Sequence, residues 1–258
     1  MSMQHNEIRR VIIAPGQQLI IQERGSHAES SSVEYHVGAR AHCVIIDQDD
    51  DVVGSVVSDI TIICEADAQV TYIVVMAAAK AHDKTIRIML QGARARVAVR
   101  GAYLLTDEQR VHVRTRQEHR GAETASDLLF KGIVAEKAQV IYEGMIHIAA
   151  NAYRANADQQ NKTLLMGDHA SAQSIPALEV LTHDVRCAHG SAIGQLDREH
   201  LLYLQSRGIS MQSARQLLVK GFLADILEHL PSDTADVLIA RMMDKVAVDK
   251  FSVTGAIV

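Results

Sequence analysis

Three short segments decide the fold of this chain: "GARAHC" at residues 38–43, "EADAQV" at 65–70 and "GARARV" at 92–97. Their first residues, at 38, 65 and 92, are 27 positions apart. A fixed period of this size is typical of solenoid proteins, in which each repeat stacks on the previous one. The segments therefore predict a stack of similar coils in the first two thirds of the chain.

Apolar residues alternate along each repeat, which is the pattern of a strand with one buried face. If the coils stack in register, Cys43 lies in one column with Val70 and Val97, so we expect it to be a small core residue rather than a ligand. Cys64 is interpreted in the same way. The alternating residues are Ala41, Cys43 and Ile45, then Ala68, Val70, Tyr72 and Val74, then Ala95, Val97 and Val99.

A later segment, "EKAQVIYEG" at 136–144, repeats the pattern of residues 68–72 at a changed spacing, which predicts an insertion or an irregular coil before it. Recurring strands at this period favour a mainly β fold with a parallel β-helix core. A meandering β-sandwich is the alternative, because a period does not fix strand pairing. A β-helix also ends in exposed strand edges, which must be capped or paired with another chain, so we expect a dimer.

The C-terminal third changes to a helical period. Asp197 and Ser210 are suitable N-caps for two helices, Gly208 is suited to end the first, and Pro231 to end the second. Ser232 is expected to cap a third amphipathic stretch that contains Val237, Leu238, Met242 and Met243. The apolar stripe predicted for the second helix is Ala214, Leu217, Leu218, Phe222, Ile226, Leu227 and Leu230. We expect a β-helix core at 1–195 and an α-helical region at 196–258.

Composition excludes several classes of protein. The 258 residues carry a net charge of −5, and aromatic residues make up 3% with no Trp, which argues against nucleic-acid binding. No apolar run approaches the roughly 20 residues that span a membrane, so we expect a cytoplasmic protein. Three cysteines without a CxxC pair argue against a disulfide framework. No P-loop, G-x-S-x-G or HExxH motif occurs.

Two charged segments invite a functional interpretation. "DQDDDVVG" at 47–54 has four carboxylates, but their spacing is not that of an EF-hand, and a solvated turn is the preferred interpretation over a calcium site. "RVHVRTRQEHR" at 110–120 alternates cations with His112 and His119. This strip is expected to be a solvated strand face rather than a site for an acidic partner.

The stretch "VRCAHGSAIGQLD" at 185–197 places a thiol and an imidazole two residues apart. If residues 181–189 form a strand, His183, Cys187 and His189 share a face, and thiolate and imidazole both suit iron or zinc. Two interpretations stay open: a metal site, or a buried cysteine beside a hydrogen-bonded turn histidine. With three cysteines, the chain alone cannot supply four thiolates to a cluster, so any cluster needs ligands from a second chain.

The surroundings of this stretch match a longer composite pattern. It comprises "ETASDLLFKGIVAEKAQVIYEGMIHIAANAYRANADQQNKTLLM" at 123–166, followed at 175–222 by the elements P-x-LE, V-x-C-x-HG, G-x-LD and YL-x-SRGI. In these residues the chain resembles the SufB/SufD family, the scaffold subunits of the SUF iron–sulfur cluster assembly machinery. The resemblance implies a right-handed parallel β-helix followed by C-terminal helices.

The resemblance also implies a type and a site. SufB-like chains carry a cysteine where this chain has Ala170, next to His169, whereas SufD-like chains carry the C-x-HG histidine, here His189. The chain thus resembles the SufD type. His189 is then the best candidate to face a cysteine of a SufB-type partner at a dimer interface, where iron or a transient iron–sulfur cluster is held. Cys187 and His183 are weaker candidates.

The resemblance further implies that the segment around Tyr203, Arg207 and Gly208 binds a SufC-like ABC-type ATPase, which hydrolyses the ATP. Two departures from the family are expected. Strands begin near Val11, without the usual N-terminal helical domain. Ala170 replaces the SufB-type cysteine, which would leave a homodimer poorly equipped to build a cluster.

The expected function is a non-enzymatic scaffold subunit that pairs with a SufB-like or identical chain and binds no cluster alone. The alternatives are a structural oligomerising β-helix that has lost cluster assembly and, less favoured, a β-helix carbohydrate-active enzyme. Neither nucleic acid nor a membrane is an expected partner.

Overall fold

The computed structural model describes residues 8–24, 30–49, 54–228, 235–236 and 239–240. Strands fill this part of the chain as far as residue 195, and helices follow. The strands are β1 (Ile8–Ile13), β2 (Gln18–Arg24), β3 (Ser30–Val37), β4 (His42–Gln48), β5 (Ser55–Cys64), β6 (Gln69–Met76), β7 (Ala81–Leu90), β8 (Arg96–Leu105), β9 (Arg110–His119), β10 (Ala125–Ala135), β11 (Gln139–Ile148), β12 (Asn156–Met166), β13 (Ser171–Val180) and β14 (Arg186–Gln195). The helices are α1 (Arg198–Ser206) and α2 (Met211–Leu227).

Consecutive strands alternate between two seven-stranded sheets, which we call the odd sheet and the even sheet after the strand numbers. Strands inside each sheet pair in parallel with the strands one coil before and one coil after them, and the two end strands of each sheet pair on one side only. The described strands therefore form a parallel β-solenoid of about six turns, as predicted. The β-sandwich alternative is wrong, because sandwiches are built from antiparallel sheets.

The coils lengthen along the chain. In the even sheet the paired positions are Gln18, His42, Gln69, Arg96, Ala125, Asn156 and Arg186, which are 24, 27, 27, 29, 31 and 30 residues apart. The 27-residue period seen in the sequence is the length of two central coils. Each later coil is two to four residues longer.

The predicted register of the segment 136–144 is wrong. Gln139 pairs with Arg110 and Ser171 in the odd sheet, whereas Gln69, its sequence counterpart, lies in the even sheet. The two segments are therefore half a coil out of phase. The two segments look alike in sequence because strands of both sheets turn alternating apolar residues toward the same interior.

The repeated segments owe their likeness to one turn. Their third residues, Arg40, Asp67 and Arg94, have φ of +59°, +59° and +57°, a left-handed conformation that residues other than glycine seldom adopt. Arg94 also donates to the carboxylate of Asp67 in the coil before it, at 2.7 and 2.8 Å. At the first position, an added Cβ on Gly92 would lie 1.9 Å from the backbone nitrogen of Ala66, so this coil boundary requires glycine.

The core fills the space between the two sheets. The prediction that the alternating residues of the three repeats form it is confirmed, since all of them are buried. Cys43 pairs with Val70, which pairs with Val97, so the predicted column exists. Cys64 is fully buried, and both cysteines are core residues.

Two buried aromatic rings fit into the interior because each faces a glycine on the neighbouring strand of the even sheet. An added Cβ on Gly132 would lie 1.6 Å from the ring of Tyr103, and one on Gly101 would lie 2.1 Å from the ring of Phe130. Tyr103 and Phe130 are both fully buried. The rings of Phe130 and Tyr142 contact each other across the interior with centroids 5.2 Å apart.

The two helices begin where the sequence predicts. Asp197 caps α1 by accepting from the backbone nitrogen of Glu199, and Ser210 caps α2 by accepting from that of Ser213. Gly208 follows α1 with a φ of +84°. Whether 1–195 and 196–258 are separate domains stays a prediction. None of the described helices is long and apolar enough to cross a membrane.

Helix α2 packs on the outer face of the even sheet, and its predicted stripe is only partly right. Val219 and Leu223 are buried against Ile73, Leu104 and Ile133. Ala214 and Ile226 are buried as predicted, but Leu217 is 53% exposed, since the sheet meets a different side of the helix. Leu230, Pro231 and the third amphipathic stretch at Ser232, Val237, Leu238, Met242 and Met243 lie outside the described residues.

Candidate functional site

The candidate site lies on β14, which is the last described strand of the even sheet. Cys187 pairs with Ala157 and His189 with Gln159, both of which point into the solenoid, so the two site residues continue inward columns. The prediction that they share a face is confirmed. His183 does not join them, because residues 181–185 are not part of the strand, which begins at Arg186 and continues six residues beyond His189.

The inward row of β14 is accessible because no described strand stacks on it. His189 and the residues after it on β14 are exposed, although the same columns one coil earlier are buried. Cys187 is half-buried and packs with Ala157 and Val180. Burial, and to a lesser degree the charge of Asp158, raise the pKa of its thiol. The exposed imidazole is therefore more accessible to a ligand than the half-buried thiol.

The layers beneath His189 form a buried polar network. Gln159 lies directly below His189 and accepts a hydrogen bond from Gln117 Nε2 at 3.1 Å. Ser126 donates to Gln117 Oε1 and is hydrogen-bonded to His119 Nε2 at 2.7 Å. Burial lowers the pKa of His119 to about 4, with a smaller contribution from His147, so the imidazole is neutral at pH 7.

A second group of buried hydrogen bonds leads to β13. The Tyr103 hydroxyl donates to Asn161 Oδ1 at 3.0 Å and is hydrogen-bonded to the Thr163 hydroxyl at 2.6 Å. Asn161 Nδ2 donates to Ser174 Oγ at 3.2 Å. The interior next to the open end of the solenoid is therefore lined by hydrogen-bonding side chains.

Sequence reasoning missed this polar interior. A signal was available in "NADQQNKT" at 156–163, where Ala157, Gln159, Asn161 and Thr163 fall on the inward parity of the strand. Because the outward residues of this segment are polar as well, the alternation of burial leaves little trace in hydropathy.

The acidic segment at 47–54 is not a solvated turn in its described part. Asp47 lies in β4 and accepts from Lys84 Nζ at 2.7 Å and from the Tyr72 hydroxyl at 2.5 Å. Asp49 is buried and accepts from the backbone nitrogens of the turn after β6, the shortest from Ala77 at 2.7 Å. The prediction failed because buried cations and amides are not visible in the segment itself; Asp50 and Asp51 lie outside the described residues.

The basic strip at 110–120 is a strand face whose charges are paired. Arg114 contacts Asp83 and Glu143, and His112 Nε2 lies 3.4 Å from a Glu143 oxygen. The interpretation as an outer strand face is right for these residues. It is wrong for His119, which points inward and is fully buried.

The helical residues predicted to bind a partner lie at the end of α1. Tyr203 is 57% exposed, and the guanidinium of Arg207 lies 5.2 Å from the centroid of its ring. Leu202 and Leu217 are exposed nearby in sequence on the two helices. The surface thus combines a cation with apolar and aromatic side chains.

Within the described residues, no group of three His, Cys, Asp or Glu side chains is placed to hold a metal ion. His189 and Cys187 are therefore two possible ligands on an exposed edge. They do not form a closed site.

A family model described as "SUF system FeS cluster assembly, SufBD core domain" matches residues 6–222. The chain belongs to the SufBD family. The SufD protein of Escherichia coli strain K12 is 38% identical over 117 residues, which are 45% of this chain and 28% of that protein. The SufD protein of Plasmodium falciparum is 33% identical over 134 residues, or 52% of this chain and 9% of that protein.

A SufBD family protein of Mycobacterium tuberculosis matches over a longer range. It is 30% identical over 223 residues, which are 82% of this chain and 56% of that protein. The matched regions thus span about half or less of these relatives. The SufD-named relatives and the family model together make this chain a SufD-like member of the SUF iron–sulfur cluster assembly family.

Proposed function

We propose that this SufBD family chain is a non-catalytic, cytoplasmic scaffold subunit of a SUF-type iron–sulfur cluster assembly complex. It pairs with a SufB-like subunit, or with a second copy of itself, and with a SufC-like ATPase. Iron or the nascent cluster is the cargo, and His189 supplies one ligand. The remaining ligands come from the partner chain.

The observation that carries the proposal is the exposure of His189 on an inward column at the open end of the solenoid. An imidazole in this position is fixed by its strand and is open to a ligand on the side away from Gln159. Among the described residues, no strand pairs with the outer edges of β13 and β14, which favours pairing with another chain. Metal bound there would be covered by the same contact that brings its other ligands.

The second contact surface is proposed at the end of α1, around Tyr203, Arg207 and Gly208. Aromatic and arginine side chains are the most frequent anchors of protein interfaces. Gly208 keeps the left-handed turn that sets α2 against α1. The ATPase would bind here, on helices that are anchored to the even sheet.

Co-purification tests the complex. The chain is co-expressed with a SufC-like ATPase and a SufB-like protein under anaerobic conditions, and the proteins that elute together are identified. We expect a complex that contains all three, or a homodimer with the ATPase. If the chain elutes without the ATPase in both arrangements, the scaffold proposal is wrong.

Replacement of His189 tests the site. In that complex, His189→Ala should lower the bound iron and sulfide severalfold while the subunits still co-purify. His42→Ala is a matched control, because His42 is exposed on β4 of the same sheet, far from the open end. Equal iron content in the wild type and the His189 variant would remove His189 from the site.

One observation favours a second candidate, a structural oligomerising subunit without cluster chemistry. Ala170 stands where the resemblance places the SufB-type cysteine, so a homodimer would lack that thiolate. This candidate predicts a stable complex with the ATPase whose iron content does not depend on His189.

A further inference from the structure

Lys131 is a cation buried between the solenoid and the C-terminal helices. It lies in β10 and points to the outer face of the even sheet, where its neighbours in the row are Ala102 and Lys162. Only 6% of Lys131 is exposed, because α2 lies across it. A lysine is seldom buried to this degree unless its charge is paired.

The ammonium group of Lys131 is fully directed at α2. It donates to the backbone oxygen of Phe222 at 2.7 Å and to the carboxylate of Asp225, and it lies 5.1 Å from the centroid of the Phe222 ring. Burial alone would raise the pKa of Asp225, but the hydrogen bond and the charge of Lys131 bring it below its usual value. The Asp225 carboxylate therefore stays ionised at neutral pH.

Apolar contacts already dock the helix without this pair. Val219 and Leu223 are buried against Ile73, Leu104 and Ile133. A methionine at position 131 would fill similar space without a charge to desolvate, and the Asp225 carboxylate that loses its partner is half-exposed to water. The ion pair adds a defined position, because its hydrogen bonds hold the helix at one place along the strand.

The strand that holds the helix is close to the site strand. Lys131 pairs with Lys162 in β12, which pairs with Ala192 in β14, and Ala192 is three residues from His189. Two strand spacings are roughly 10 Å. A displacement of α2 that keeps the ion pair therefore acts on a strand two positions from the one that carries His189.

We propose that Lys131, through Phe222 and Asp225, is the positioning residue that couples movement of the C-terminal helices to the strands of the cluster site. This inference rests on the proposed function, in which the ATPase binds those helices. The apolar contacts allow α2 to slide or tilt, whereas the ion pair makes β10 follow it.

The test measures the coupling of ATP hydrolysis to assembly in the three-protein complex. Lys131→Met is compared with the wild type and with Lys137→Met, a control at an exposed lysine between β10 and β11. Each complex is supplied with iron, a sulfide source and ATP, and the phosphate released per cluster formed is recorded. We expect Lys131→Met to bind the ATPase and hydrolyse ATP while this ratio rises about tenfold, the cost of one charge-assisted hydrogen bond.

Two further measurements separate coupling from a structural role. Lys131→Arg keeps a cation with hydrogen-bond donors. Its ratio of phosphate released to cluster formed should therefore lie between those of the wild type and Lys131→Met. Hydrogen exchange of the α2 amides should be faster in Lys131→Met than in Lys137→Met, while the amides of β10 stay protected.

The possible outcomes are distinct. A wild-type ratio in Lys131→Met, when the wild-type complex is active, overturns the inference and leaves the proposed function standing. Loss of ATPase binding in Lys131→Met also overturns it, since the residue would then shape the binding surface. If the wild-type complex does not form or gains no iron, the proposed function fails and the inference falls with it.

Discussion

Acidification should weaken this fold through a single buried imidazole. Both nitrogens of His119 are hydrogen-bonded, to the Thr124 hydroxyl at 2.8 Å and to the Ser126 hydroxyl at 2.7 Å. Burial, with a smaller contribution from the charge of His147, lowers the pKa of His119 to about 4, against 6.5 for an unperturbed histidine. Between these two values the unfolded chain binds the proton more readily than the folded one. Stability from this group is therefore complete above pH 6.5 and is lost as the pH falls toward 4.

The size of the effect follows from the two pKa values. Proton linkage gives a loss of about 2 kcal/mol in the free energy of unfolding between pH 7 and pH 5, and about 3 kcal/mol by pH 4. The assay is urea unfolding followed by circular dichroism at pH 7, 6 and 5. His119→Gln keeps a hydrogen-bonding side chain that does not titrate, so its stability should fall by about 2 kcal/mol less over the same range. His200→Gln, at an exposed position on α1, is the control and should behave as the wild type.

The reasoning would be refuted if the wild type and the His119→Gln variant lost stability equally between pH 7 and pH 5. Such a result would mean that the imidazole takes up its proton as easily inside the solenoid as in the unfolded chain. A direct check is the titration of the His119 ring protons by NMR, which should show no protonation above pH 5.

Three further predictions concern packing, thiol reactivity and capping. Gly132→Ala should lower the stability measured by thermal unfolding by about 3 kcal/mol or more, because the added Cβ would overlap the Tyr103 ring. Gly194→Ala is the control and should be nearly neutral, because its Cβ meets no described atom within 4 Å. Under native conditions a maleimide should modify Cys187 first. Burial raises the pKa of the Cys43 thiol to about 11 and that of the Cys64 thiol to about 12. Equal labelling of the three cysteines by mass spectrometry would contradict this. Ser210→Ala removes the α2 N-cap and should cost about 1 kcal/mol in urea unfolding; an unchanged free energy of unfolding would contradict this.

Much of the solenoid could be predicted from local patterns. The column from Cys43 to Val97 followed from alternation and from a constant period, and the caps at Asp197 and Ser210 followed from side-chain chemistry. The prediction failed where the period changed. Once coils grow to 29–31 residues, strands of the two sheets give the same pattern, and the sequence no longer tells which sheet a segment joins.

The candidate site was predicted in part. Cys187 and His189 share an inward face as their spacing indicates, but His183 lies in a turn, because the strand starts later than the alternation suggested. The hydrogen-bond partners of Asp47 lie 25 and 37 residues from it along the chain. Gln117 and Gln159, beneath His189, are 42 residues apart. Contacts of that kind depend on the stacking of coils, which no single segment encodes.

The sequence by itself determined the repeating β-architecture, the helices that follow it and the family of the chain, because each rests on residues close together along the chain. Only the tertiary structure decided which side chains are accessible. His189 and Gln159 lie in the same column and face the same interior, yet one is exposed and the other is buried. The difference arises because the coil of Gln159 lies under a further coil, whereas no described strand covers the coil of His189, and the order of the stack is a property of the whole fold.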